Sequence, residues 1–279
     1  MAAQPQKPDW SATQYLKFAT ERTLAVHDLI ARVRPHVHTA SPRIYDLGCG
    51  PGNSTAALLA AFPGARTTGM DSSGAMLSRA TAAVPKAAFE EGDLATFDTP
   101  AADVVFSNAA FHWLRSAQRM PALQRYFRAL RRGGVLAVQV PDNYDAATHR
   151  LMREVAGLRG AAWASFFEGA NIGDVGDARR PDLDPVEAPG VFYDALVPWA
   201  GSVHVWRTEY YHVLEDAGAI VEWVKGTGLQ PYLQRIGDEG AKEAFLEEYE
   251  RRLAEAYPEL KDGKVLLGYP RLFVVAVRK

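Results

Sequence analysis

Residues 43–62 constrain the fold more than any other part of this chain. A short apolar run, Arg-Ile-Tyr-Asp-Leu, leads into Gly-Cys-Gly-Pro-Gly-Asn and then into a segment rich in alanine and leucine. A buried strand feeding a glycine turn that opens a helix leaves unpaired backbone N–H groups at the helix start, and the glycines let a ligand lie against the chain. Downstream, strand-like runs at 66–70, 87–90, 104–107 and 135–140 alternate with helical patterns at 75–83 and 118–130. That alternation predicts an α/β fold, a doubly wound, mostly parallel sheet joined by right-handed crossovers.

After Pro141 the pattern changes. One helix is expected at 148–155, followed by a Gly/Asp/Pro-rich stretch from 157 to 190 that reads as a disordered segment or a functional lid. A strand is expected at 203–214, helices at 217–225 and 239–257, and a closing strand at 272–277. Ending on a strand suggests an antiparallel hairpin at the sheet edge. No linker divides the chain, so residues 1–279 are expected to form a single domain. Its core would span about 40–142, 190–216 and 265–279, with a helical N-terminal lid at about 9–38 and helical cap insertions at about 143–189 and 217–262.

The formal charge is −2 and no block of like charges occurs, so neither a nucleic-acid nor a membrane partner is expected. The single cysteine, Cys49, excludes an intrachain disulfide and fits a reducing compartment. The N-terminus lacks the apolar region of a signal peptide, and no apolar run approaches the roughly 18 residues that span a bilayer. The expectation is a cytoplasmic protein of open oligomeric state.

In an open α/β sheet, ligands bind outside the carboxyl ends of the strands. Asp46, Asp71, Asp93 and Asn108 stand at four such ends. An acid in the position of Asp71 accepts hydrogen bonds from both hydroxyls of an adenosine ribose. The turn has no Walker-type lysine, Asn53 replaces the third glycine of a dinucleotide fingerprint, and no Arg or Lys is present to meet a pyrophosphate. The ligand it suits carries ribose and adenine without phosphate, as S-adenosyl-L-methionine does. Cys49 reads as a small turn residue, with no partner to activate it as a nucleophile. His36 and His38 have no third ligand by spacing, so no metal is expected.

These residues carry a resemblance. Asp46-Leu-Gly-Cys-Gly-Pro-Gly resembles the first motif of the class I, Rossmann-like S-adenosylmethionine-dependent methyltransferases. Segments along nearly the whole chain narrow the likeness to the trans-aconitate 2-methyltransferase family: Phe111-His-Trp-Leu, Val138-Gln-Val-Pro-Asp-Asn, Val205-Trp-Arg-Thr-Glu-Tyr-Tyr-His, Gly226-Thr-Gly-Leu-Gln-Pro-Tyr-Leu and Tyr269-Pro-Arg-Leu-Phe. The stretch 157–189 departs from the family pattern in being longer and richer in Gly and Asp. The resemblance implies a cofactor site made of Asp46, Gly48, Cys49, Gly50, Asn53, Asp71, Ser72, Met76, Asp93, Leu94, Asn108 and Ala109. From the N-terminal lid it adds Tyr15 and Arg22. The product would be S-adenosyl-L-homocysteine.

The implied acceptor is a small-molecule tricarboxylate, which calls for Arg, Tyr, His and amides. The family-like segments supply Asn143, His149, Arg153, Arg207, Tyr210, Tyr211 and Arg271, with Trp10 and Phe18 ahead of them. Along 203–214, Arg207 and Tyr211 alternate with Trp206, Tyr210 and His212, so the two sets face opposite ways. An ionised carboxylate is already a nucleophile at neutral pH, so in-line displacement needs no catalytic acid or base. The alternatives are a methyltransferase acting on another O, N or C acceptor with His112 as base, or a non-catalytic S-adenosylmethionine binder. An NAD-dependent oxidoreductase is disfavoured by Asn53.

Overall fold

The computed structural model describes residues 19–177 and 179–279, with the backbone alone for 19–22. Among the described residues seven strands form one sheet: β1 (Arg43–Leu47), β2 (Arg66–Asp71), β3 (Ala88–Glu91), β4 (Val104–Asn108), β5 (Val135–Pro141), β6 (Ala200–Leu214) and β7 (Val265–Arg278). Their order is β3-β2-β1-β4-β5-β7-β6. The first five pair in parallel, while β7 runs antiparallel between β5 and β6. The order reverses at β1 and β4, and this places the glycine turn after β1 at the topological switch point.

Helices cover both faces. On one side α1 (Ala19–Val33) and α2 (Asn53–Ala61) pack Val26, Leu29 and Leu58 against Ile44, Phe106 and Phe273. On the other, α4 (Ser116–Ala129) and α6 (Pro189–Leu196) pack Leu123, Phe127 and Phe192 against Leu47, Leu136 and Leu272, while α3 (Gly74–Ala83) follows β2. Successive β5 residues therefore enter opposite cores, Val135 and Ala137 into one and Leu136 and Val138 into the other. A strand buried on both faces has to be a continuous apolar run.

A third core belongs to the cap. The β6–β7 hairpin runs past the end of β5, and its overhang carries Leu214, Val265, Leu267 and Tyr269. Against it pack α5 (Ala147–Ala156), α7 (Ala217–Lys225), α8 (Gln230–Leu233) and α9 (Glu239–Ala256), with Trp223 and Phe245 at the centre. Asp216 and Asp238 start α7 and α9 by accepting from Ala219 N (2.7 Å) and Ala241 N (2.8 Å), as N-caps do. Among the described residues no helix is long and apolar enough to cross a membrane.

Two features differ from the sequence expectation. The irregular 157–190 stretch gives way to a helix at Pro189, because proline in the first turn loses no hydrogen bond and presets φ. The rest of the stretch is held by charge. Arg180, with a fully buried side chain, pairs with Asp182 (3.0 Å) and Asp184, Arg115 pairs with Asp184 (3.0 Å), and the buried Arg119 pairs with Glu187 (2.6 Å). Asp184 also accepts from Ser116 N (2.6 Å) at the start of α4. The segment is a strap tied to α4 through ions and backbone carbonyls.

Candidate active site

A cavity of about 690 Å³ opens at the carboxyl ends of β1, β2 and β4. Gly48, Cys49 and Gly50 form its floor. Gly48 (φ +71°) has no room for a side chain, since a Cβ would stand 2.3 Å from that of Ala110. Gly50 (φ +54°) is open above, with nothing within 4 Å of a Cβ, so its face of the turn is free for a ligand. At the end of β4, Ala109 takes φ +53°, a left-handed conformation rarely used by non-glycine residues, and turns the chain beside the cavity. Its neighbour Asn108 leaves Oδ1 buried with no hydrogen-bond partner among the described residues.

The Asp71 carboxylate joins β2 to the turn: Oδ2 accepts from Gly50 N (2.9 Å) and Oδ1 from Ser73 N (3.0 Å). Burial raises its pKa and those backbone N–H groups oppose the rise. A carboxylate has about four acceptor sites, so two remain for ribose hydroxyls. Ser72, Met76, Asp93 and Leu94 line the next stretch of wall, with Asn53 on the turn's far side. Ser73 caps α3 by accepting from Met76 N (3.3 Å).

Asp46 is placed differently from the expectation. It lies fully buried behind the turn, where Oδ2 accepts from Ser54 (2.7 Å) and Thr55 (2.6 Å), and it does not line the cavity. It supports the glycine turn by holding the start of α2. Burial pushes its pKa up to about 6 from 3.8. Between those values the folded state binds the proton more tightly than the unfolded chain, so stability falls as pH rises through that interval. Asp46→Asn should therefore gain about 3 kcal/mol relative to the parent between about pH 4 and 7, read as the difference of urea-unfolding free energies. A difference that does not vary with pH would show that Asp46 titrates normally.

The expected acceptor residues divide. Arg271, 4% exposed, lines the cavity, and its Nη1 donates to Gln139 Oε1 at 3.2 Å. Its guanidinium also lies 5.0 Å from the Tyr269 ring and 5.9 Å from that of Tyr210. Asn143, His149 and Arg153 line a smaller recess adjoining the cavity. Three others are placed away from both. Arg207 faces outward and pairs with Asp142 (2.7 Å). Tyr211, 61% exposed, donates to Glu209 (2.7 Å). Tyr210 faces inward, yet its hydroxyl donates to Asp28 of α1 and the ring sits behind Arg271. The strand alternation sends Arg207 and Tyr211 to solvent and keeps Trp206 and His212 inside. Trp10, Tyr15 and Phe18 lie outside the described residues, and Arg22 falls where the backbone alone is described.

Sequence reasoning missed Gln139 and the aromatic walls Trp113, Trp223 and Tyr269. Gln139 left a signal: it is the one polar side chain in an otherwise apolar strand. His112 lines both the cavity and the recess. Burial pushes its pKa down to about 3, with the positive charges of Arg119 and Arg271 adding to the effect. At neutral pH it is an uncharged hydrogen-bonding group and a weak base.

Known proteins resemble this chain in sequence and in fold. Residues 44–134 match the family model described as a methyltransferase domain. Over 274 residues the chain is 46% identical to the trans-aconitate 2-methyltransferase of Azoarcus sp. strain BH72, covering 97% of this chain and 100% of that one. It is also 46% identical over 272 residues to the enzyme of the same name from Agrobacterium fabrum, covering 97% and 99%. Among solved structures, the YcgJ protein of Bacillus subtilis superposes with a TM-score of 0.56 over 91% of this chain and 98% of that one. At 11% identity that likeness bears on the fold alone.

Proposed function

The chain belongs to the trans-aconitate 2-methyltransferase family and is an S-adenosylmethionine-dependent methyltransferase, and from that premise we propose that it forms a monomethyl ester of trans-aconitate. When bound, S-adenosylmethionine supplies an electrophilic methyl group on sulfur, transferred to a carboxylate oxygen with S-adenosylhomocysteine as the product. The observation that carries the reading is Arg271: a buried guanidinium in the same cavity as Asp71 and the glycine turn. A planar fork of donors matches a carboxylate in two-point fashion.

The residues divide the work. Asp71 would hold the ribose, and Asp93, Leu94 and Met76 would flank the adenine. Gly50 lets the amino-acid end lie on the backbone beside Gly48, which packs against Ala110, and Asn108 offers it a buried carbonyl oxygen. Arg271 would orient the acceptor. No proton has to be removed from an ionised carboxylate, so catalysis rests on approach geometry and exclusion of water. Its weak basicity makes His112 a poor choice for the alternative reading, deprotonation of a hydroxyl or amine acceptor, because a general base works best with a pKa near the operating pH.

The test is incubation with labelled S-adenosylmethionine and a panel of di- and tricarboxylates, amines and phenols. Methyl ester from trans-aconitate, with none from amines or phenols, is the expected result, and no turnover of any carboxylate would refute it. For the cofactor, Asp71→Ala should weaken S-adenosylhomocysteine binding by about 1.5–3 kcal/mol, the worth of hydrogen bonds to a charged group. Unchanged affinity in calorimetry would remove Asp71 from the ribose.

A further inference from the structure

Next to the cavity lies a recess of about 40 Å³ that shares His112, Trp113 and Tyr269 with it. A single water needs roughly 10–15 Å³, so the recess has room for a three-atom carboxylate but not for a whole tricarboxylate. Its walls come from three parts of the chain: Asn143 and α5 with His149 and Arg153, the strap with Asp182 and Asp184, and the loop after α7 with Gly228.

The charge balance favours an anion. Asp182 is tied to Arg180, and Asp184 to Arg180 and Arg115, so the strap's carboxylates are neutralised where they stand. Arg153 lies over the Tyr144 ring, its guanidinium carbon 3.7 Å from the centroid, and donates to Tyr144 O at 2.8 Å. Among the described residues Arg153 makes no ion pair, and the carboxylates that share the recess with it are bridged to Arg180 and Arg115. Burial holds both His112 and His149 down at about 3, so each is a neutral partner, and among the described residues lining the recess Arg153 is the cation. His149 Nδ1 is 3.0 Å from Thr148 Oγ1, which fixes the ring. The opposite ring nitrogen sits against Gly228: a Cβ there would stand 2.8 Å from Nε2.

We propose that this recess is a subsite for a second carboxylate of the acceptor, one that is not methylated, held by Arg153 with hydrogen bonds from His149 and Asn143. It makes the enzyme select acceptors that carry this extra carboxylate over analogues that lack it. The proposal rests on the carboxylate-acceptor reading above and specifies which part of the acceptor each region receives.

Mesaconate and itaconate are the probes, because each lacks a different terminal carboxylate of trans-aconitate. Two variants test the site independently. Arg153→Leu removes the charge, and Gly228→Ala, at a residue outside the left-handed region, fills the space beside His149. In both, KM for trans-aconitate should rise at least about tenfold, the scale of one lost charge-assisted hydrogen bond. It should approach the constant of the analogue that lacks the seated carboxylate. That analogue's own constant, measured as KM or as an inhibition constant, should stay within about twofold, as should S-adenosylhomocysteine affinity. Equal rises for all three acids, or no rise for trans-aconitate, would overturn the subsite. If the parent enzyme methylates none of them, the carboxylate reading itself fails. Calorimetry on S-adenosylhomocysteine-loaded protein then still decides the subsite: tighter binding of trans-aconitate than of one analogue, lost in Gly228→Ala, supports it, and equal binding rejects it.

Discussion

Replacing Arg180 with leucine should destabilise the protein by about 3–5 kcal/mol, the usual consequence of removing one partner from a buried ion pair. The side chain is fully buried, and the two carboxylates it joins are nearly so, with 3% and 7% of their side chains exposed. Without Arg180, Asp182 keeps, among the described residues, only the Gly173 N–H at 3.2 Å, while Asp184 retains Arg115 and Ser116. The uncompensated charge therefore falls mainly on Asp182, and that identifies the second half of the experiment. Adding Asp182→Asn to Arg180→Leu should recover part of the loss, giving a coupling energy of about 1–3 kcal/mol in a double-mutant cycle of urea-unfolding free energies. Because Asp182 walls the acceptor recess, the single variant should also raise KM for trans-aconitate while S-adenosylhomocysteine affinity holds. A stability change below about 1 kcal/mol would mean the strap is fastened elsewhere.

This strap separates what could be read in the chain from what could not. The turn at 48–53 and the acid at position 71 are local signals: a glycine spacing, a strand end, a residue type. Each can be read one at a time, because the backbone conformation follows from the residue itself. The alternation at 203–214 was legible for the same reason, since a strand imposes period two on whatever it carries. Arg180 shows where that logic stops. In a Gly/Asp/Pro-rich stretch it reads as a solvated charge, and its burial depends on Arg115 and Ser116, more than sixty positions earlier. Tyr210 is the same case inverted. Residue type suggested an acceptor ligand, yet a carboxylate 182 positions away, on α1, takes its hydroxyl. Gln139 was legible but unread: one amide in an otherwise apolar strand buried on both faces needs partners, and Arg271 supplies one to its Oε1, while its Nε2 has none among the described residues.

Arg271→Leu should give the largest functional effect, raising KM for trans-aconitate by roughly 30-fold to several thousand-fold, or about 2–5 kcal/mol, as for other buried charge contacts. The split between constants tells which carboxylate it holds. The reacting oxygen loses negative charge as the ester forms, so an arginine bound to that group holds the ground state more tightly than the transition state. Losing it would raise KM but lift or preserve kcat. An arginine on a carboxylate that keeps its charge binds both states alike, and its loss raises KM with kcat unchanged. A fall in kcat equal to the fall in kcat/KM would instead place Arg271 in the transition state alone. Arg271→Lys should lie between the parent and the leucine variant, because it keeps the charge but loses the two-point geometry. Truncation also leaves the fully buried Gln139 Oε1 without its Nη1 donor, a stability loss of about 1–3 kcal/mol, so S-adenosylhomocysteine affinity must be measured alongside to show an intact cavity. Arg207→Leu is the control: its side chain is 55% exposed and paired with Asp142 on the outer face, and it should leave KM within about twofold. If the two leucine variants behave alike, the acceptor is not oriented by Arg271.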